Sequence, residues 1–314
     1  MDHWLSALGA RRWAAGAGFL ALGAAACGAA YEGPPAAELV GQARKLDLDG
    51  RPDAAIPLFR QALEADADSF DAHYGLARAL DLAGSYDEAR EHFARAIELA
   101  PEAAQEQALR MTGISWTFAR NADRAARFFR DVFDRRVAAG NFAGAADEAN
   151  ELGRMYLELD DFDRAEEWYR TGHETAGRLA DRSPQQVALA DMRWAHAQAR
   201  IAARRGRADI ARRQSAVVEA LLDRGGNDDQ RIHYPYLLGY VAYHLGDHEG
   251  ALAELQMADQ EDPFILMLLG DASDQLGDTE AARGYYRKVL ESSSHAITAA
   301  IARPVARAKL QGTR

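Results

Sequence analysis

The stretch from Asp71 to Pro101, DAHYGLARALDLAGSYDEAREHFARAIELAP, most constrains what this chain can fold into. Its first half places Tyr74, Leu76, Ala77 and Leu80 on one helical face, and its second half places Ala89, Phe93, Ala96 and Ile97 on another. Gly84 lies between them, where a helix end favours a residue that tolerates positive φ. Pro101 stops the second helix. A helical hairpin of this kind cannot bury its apolar face alone and requires copies of itself.

The copies are present. Each second helix carries a small residue, then a residue four later that is usually large and apolar, then a small or medium one three later again. The series runs Ala55/Phe59/Ala62, Ala89/Phe93/Ala96, Ala125/Phe129/Val132, Ala165/Tyr169/Gly172, Ala211/Ser215/Val218, Ala251/Leu255/Ala258 and Ala282/Tyr286/Val289. Twelve residues before each leading alanine stands another small residue: Ala43, Ala77, Gly113, Gly153, Ala199, Gly239 and Gly270. Small residues at these points let helix backbones approach, and the large residue fills the gap between neighbouring hairpins. The pattern resembles the tetratricopeptide repeat family over residues 36–294. The resemblance implies an all-α, right-handed α-solenoid of about seven hairpins, with residues 295–314 as a C-terminal capping helix and tail.

Successive leading alanines are 34, 36, 40, 46, 40 and 31 residues apart. The first two intervals match a period of about 34. The excess in the middle falls at Thr171–Asp191, where Ser183-Pro184 signals a helix restart, and at Leu222–Ile232, which contains RGGNDD. Longer helices or loops are expected there. Ser215 makes the fifth repeat the least regular. At the end, Ala296–Arg303 has helical spacing, no following partner, and a kink or break expected at Pro304.

The amino terminus reads differently. Arg11-Arg12 precede the apolar run AAGAGFLALGAAA, which is shorter than the ~20 residues a spanning helix needs. A basic start, a short apolar run and small residues at its end describe an export signal over residues 1–26. The run ends on Ala24-Ala25-Ala26-Cys27, and Cys27 is the chain's only cysteine. This junction resembles the bacterial lipoprotein lipobox, with Ala24 where Leu is usual. The resemblance implies lipid attachment at Cys27 and residues 27–35, with Pro34-Pro35, as a tether. The alternatives are an ordinary signal cleaved after a small residue, such as Ala26 or Ala30, and an uncleaved anchor. The expectation is an exported protein of the cell envelope, lipid-anchored on the periplasmic or outer-surface side of a bacterial membrane if Cys27 is modified.

The formal charge of −11 disfavours nucleic acid as a partner, because phosphate neutralisation drives such binding. No phosphate-binding loop, nucleophile elbow or metal-ligand spacing stands out, so no enzyme activity, cofactor, metal or small-molecule substrate is expected. His244 and His248 have i,i+4 spacing, but Gly246-Asp247 between them is a turn signal, so the two read as turn and surface histidines.

In the resembled fold the first helices line a concave, partner-binding face. The residues following the small first-helix positions are Arg44, Arg78, Ile114, Arg154, Arg200, Tyr240 and Asp271. Local pairs Arg44/Asp47, Arg78/Asp81 and Arg154/Glu158 offer self-neutralisation for three of the arginines. Arg200 has no such acid, and Arg193 and Arg204 flank it at helical spacing. His233, Tyr236, Tyr240 and Tyr243 form a second stripe, read as an exposed groove patch in preference to core. The expected partner-binding groove is therefore Arg154, Arg193, Arg200, Arg204, His233, Tyr236, Tyr240 and Tyr243. It would hold a protein or peptide, with an acidic segment, in a scaffold or adaptor. The alternatives are a structural subunit of an envelope assembly or secretion complex, whose edges carry the contacts, and an enzyme with a site near His233, Tyr236 and Tyr240.

Overall fold

The structure, a computed structural model, describes residue 31 and residues 33–312. The signal at 1–26, Cys27 and part of the tether lie outside the described residues. Seven helical hairpins follow one another: α1 (Ala36–Leu48) with α2 (Pro52–Ala65), α3 (Phe70–Ala83) with α4 (Tyr86–Leu99), α5 (Glu102–Phe118) with α6 (Ala122–Ala138), and α7 (Phe142–Glu158) with α8 (Phe162–Ala176). Then come α9 (Pro184–Arg204) with α10 (Ala208–Asp223), α11 (Tyr234–His244) with α12 (His248–Gln256), and α13 (Pro263–Gln275) with α14 (Thr279–Glu291); α15 (Ile297–Gln311) closes the array. No strand occurs among the described residues, and no helix there is long and apolar enough to cross a membrane.

The repeat register is the one the small residues specify. All seven leading alanines are at most 1% exposed. The large partners, three aromatic rings and Leu255, sit on the glycines of the first helices. A methyl group on Gly113, Gly153, Gly239 or Gly270 would come within 3.1, 2.8, 2.5 and 2.6 Å of Phe129, Tyr169, Leu255 and Tyr286 respectively. Each of these rings or side chains thus lies inside its own hairpin, whereas Phe59 also fills the space at Gly75 of the next. Every hairpin turn contains one residue at positive φ. Five are glycines; the other two are Arg120 (φ 53°) and Asp160 (φ 69°), where an L side chain is strained. Asp160 has an evident compensation, since its carboxylate pairs with Arg204.

The long intervals resolve as expected. Ser183 and Gln186 form a capping box that restarts the chain as the 21-residue α9, and residues 228–233 form a short 3-10 turn before α11. The C-terminus departs from expectation in two ways. Helix α15 runs unbroken through Pro304. It also has a partner beyond the last repeat: besides covering α13 and α14, it lies on the inner helices α5 and α7. The solenoid therefore curls until its end meets its beginning. The carbonyl of Glu291 abuts Gly50 in the first turn, and the Arg307 guanidinium abuts Gly84 in the second. The largest apolar cluster runs from Leu82 on α3 to Ala306 on α15, with separate clusters in the first two hairpins and between α9, α10 and α11.

Candidate functional site

Closure divides the inner face. In its amino-terminal part the C-terminal segment fills the groove. Asp81, fully buried, accepts hydrogen bonds from Ser115 Oγ at 3.0 Å and pairs with His295 Nε2 at 2.8 Å. Arg78 donates to the Ser293 carbonyl and pairs with Asp47 of the preceding repeat at 3.4 Å; Arg44 pairs with Asp71 of the following one. Neither arginine is neutralised within its own helix as the i,i+3 spacing suggests. Arg303, buried, donates to the carbonyls of Val289, Leu290, Ser292 and Leu82. It thereby caps the carboxyl ends of α3 and α14 together, where helix carbonyls lack partners and positive charge is favoured. Burial, followed by the neighbouring Arg307, pulls its pKa down to about 10.

The central part remains open. A cavity of about 480 Å³ lies between α7, α9, α11 and the start of α13. Arg154, Arg193, Arg200, His233 and Tyr236 line it, together with His196, Tyr169 and Tyr234. Five of the eight expected groove residues thus converge. Arg204, Tyr240 and Tyr243 do not line it, and the reading of an exposed aromatic patch is corrected: Tyr236 is 8% exposed and Tyr240 is fully buried. Glu158 explains this. Its carboxylate, 3% exposed, accepts from the Tyr240 hydroxyl at 3.1 Å and from Arg204 at 2.9 Å, while Arg200 stands 4.0 Å away. The sequence-neighbour pairing of Arg154 with Glu158 is not formed; Glu158 serves α9 and α11 instead. The separation of Tyr240 from the cavity also means that His233, Tyr236 and Tyr240 do not make one constellation.

The charges at the cavity floor are incompletely matched. Arg200 is 6% exposed and donates to the Tyr169 hydroxyl at 2.7 Å, yet its Nε has no partner. The Arg154 guanidinium forms neither a hydrogen bond nor an ion pair with any described residue. Its carbon lies 5.3 Å from the Phe264 ring and 5.8 Å from that of Tyr236, and its Nε is buried without an acceptor. His196 stacks on Tyr236 at 5.8 Å. Burial, then Arg200 and Arg154, holds its pKa well below the ordinary histidine value, so it faces the cavity neutral. At the rim Arg193 pairs with Asp147 at 2.7 Å, both side chains being about half exposed. Asp259 and Asp262 complete the rim. Sequence reasoning missed His196, although it shares the α9 stripe of Arg193 and Arg200. It also missed the two acids, which reach the cavity only through the α12–α13 connection.

Tetratricopeptide repeat models match residues 48–110 and, separately, residues 149–172 and 265–295. No curated protein sequence matches the chain. Among solved structures, a tetratricopeptide repeat protein from Parabacteroides merdae aligns with a TM-score of 0.49 and 13% identity, over 88% of this chain and 98% of that one. A Rap protein complexed with Competence and Sporulation Factor aligns with a TM-score of 0.49 and 14% identity, over 88% and 76% of the two chains. Pseudomonas aeruginosa PilF aligns with a TM-score of 0.43 and 15% identity, over 70% and 89%.

Proposed function

We propose that this chain, which carries tetratricopeptide repeats, is a protein-binding scaffold of the bacterial cell envelope whose partner inserts an acidic segment into the central cavity. One observation carries the reading: Arg154 presents a guanidinium without a hydrogen-bonding acceptor to a cavity on the inner face. Removing a cation from water without pairing it is costly, and an incoming carboxylate offsets that cost with charge-assisted bonds. Arg200 adds buried positive charge behind Arg154, and Tyr236 and His233 supply flat contact area. Arg193 at the rim contributes to steering, which is screened over about 8–10 Å at physiological ionic strength.

The test is affinity capture from solubilised envelope with the full chain and with Arg154→Met. Partners that wild type captures at low salt should be released by salt and absent from the variant. Equal capture by both would favour contacts at the solenoid's edges and a structural-subunit role. Arg200→Glu and Arg204→Glu are unsuited to this test, because both side chains are held in the buried Glu158 network.

Envelope attachment belongs to the same proposal and rests on the lone cysteine at the end of the apolar run. Radiolabelled palmitate should enter the native chain and not Cys27→Ala. Labelling of both, or of neither, excludes Cys27 as the anchor.

A further inference from the structure

The cavity has two electrostatic zones, and their arrangement restricts the partner further than its general acidity. The floor is cationic: Arg154 is unpaired, and Arg200, although within 4.0 Å of Glu158, retains an unmatched Nε. The rim is not. Asp147 is taken by Arg193, and Glu151 lies 3.9 Å from Arg110. Asp259 and Asp262 form no ion pair with any described residue. Each accepts one backbone hydrogen bond within its own loop, from Glu261 at 2.9 Å and from Phe264 at 2.7 Å. Both carboxylates lie at the mouth, and Asp262 is near enough to the floor to act on Arg154 without forming an ion pair with it.

A polyacidic stretch would meet repulsion at this mouth before its carboxylate reached the floor. We propose that the cavity selects an internal segment with a single Asp or Glu side chain, seated on the Arg154 guanidinium with the buried Arg200 charge behind it, and with Lys or Arg close beside it to meet Asp259 and Asp262. The inference rests on the scaffold reading above and specifies the partner's chemistry. A volume of about 480 Å³ fits an anchor side chain with part of its backbone and not a whole helix; ligand cavities commonly span about 300–1,000 Å³. Tyr169, Tyr236 and Met192 give the anchor's methylenes an apolar wall.

The test uses the full chain and a library of nonapeptides, acetylated and amidated so that no terminal carboxylate competes. The central residue is Glu or Gln, the flanking charges are Lys, Gln or Glu, and the remaining positions vary among neutral residues. The Lys-flanked Glu class should be enriched about tenfold or more over its Gln counterpart, the range expected of a charge-assisted hydrogen bond. It should also exceed the Glu-flanked class. Arg154→Met should abolish the Glu-over-Gln preference. Asp259→Asn with Asp262→Asn, which retains the capping oxygens, should remove the flank preference and leave the Glu preference intact. Equal enrichment of Glu and Gln, preference for Glu flanks, or no enrichment of any class overturns the proposal. The scaffold reading is judged separately, by loss or retention of native partners on Arg154→Met.

Discussion

The two halves of the inner face are built from the same helical hairpins and carry the same kinds of buried charge, yet they treat them differently. On the amino-terminal half, Asp81 and Arg303 are matched by groups more than 200 residues away in sequence, brought there by α15 and the segment before it. On the central half, the Arg154 guanidinium as a whole has no hydrogen-bond or ion-pair partner among the described residues, whereas buried Nε atoms without an acceptor occur in both halves, on Arg78, Arg200 and Arg303. The repeat sets which positions face inward. Whether an inward charge serves folding or remains available depends on where the chain's end comes to rest. An inward arginine is therefore not by itself a binding residue: Arg78 and Arg303 hold the fold closed, and Arg154 is left open.

The largest expected effect tests the closed half. Phe93 is fully buried and its ring lies 5.8 Å from that of His295. Phe93→Ala should cost about 3–5 kcal/mol in chemical denaturation. A loss below about 1 kcal/mol would break the repeat register and with it the division of the inner face.

The matched substitutions Arg303→Met and Arg154→Met sharpen the contrast. Arg303→Met strands the carbonyls of Val289, Leu290 and Ser292 at the end of α14, leaves Leu82 to Arg307 alone, and should cost about 3–5 kcal/mol, with hydrogen exchange in α15 accelerating first. Arg154→Met removes an unpaired charge whose desolvation opposes folding, so it should leave stability unchanged or raise it by up to about 3 kcal/mol. Equal costs would mean that the two halves do not differ in the way described.

The degree to which this was legible in the sequence follows the same line. The small and large positions place the hairpins correctly, because Gly113, Gly153, Gly239 and Gly270 each seat a side chain of their own repeat. The Ser183-Pro184 restart was readable for the same reason, being a local signal. The burial of Tyr240, the role of Glu158 and the docking of α15 depend on side chains from distant repeats meeting. Pairing rules at i,i+3 and i,i+4 point Arg44, Arg78 and Arg154 to the wrong acids. The heptad-like stripe of Arg193, Arg200 and Arg204 is real, but only depth in the fold separates the exposed Arg193 from the buried Arg200.

Acid should destabilise the central half. His244 packs on Tyr240 at 4.4 Å and faces Arg204. Burial, then Arg204, pushes the His244 pKa down to about 3. A histidine whose folded-state pKa is depressed takes up its proton first in the unfolded chain. Stability is therefore full above about 6.5 and falls as pH drops toward about 3. The loss from this group should reach at most about 5 kcal/mol across that window, and His244→Phe should reduce the slope while His196 sustains the remainder. An unchanged slope in the variant would assign the acid sensitivity elsewhere.

The smallest stability effect is expected at the rim, where structure and binding separate most cleanly. Arg193 and Asp147 are 2.7 Å apart, but their side chains are 45% and 57% exposed. A pair this well solvated contributes at most about 1 kcal/mol, so Arg193→Gln should shift the denaturation midpoint barely measurably. The same substitution removes a positive charge from the cavity mouth and frees Asp147, making the rim more acidic. Association with an anchor carboxylate should slow, and the slowing should fade as salt rises, because steering acts on the on-rate and is screened. Dissociation should hardly change, since the floor contacts to Arg154 and Arg200 are untouched. If Arg193→Gln instead destabilised the fold by several kcal/mol, the rim would be part of the closed architecture. The distinction between a groove the chain fills for itself and one it leaves for a partner would then have to be redrawn one helix further along.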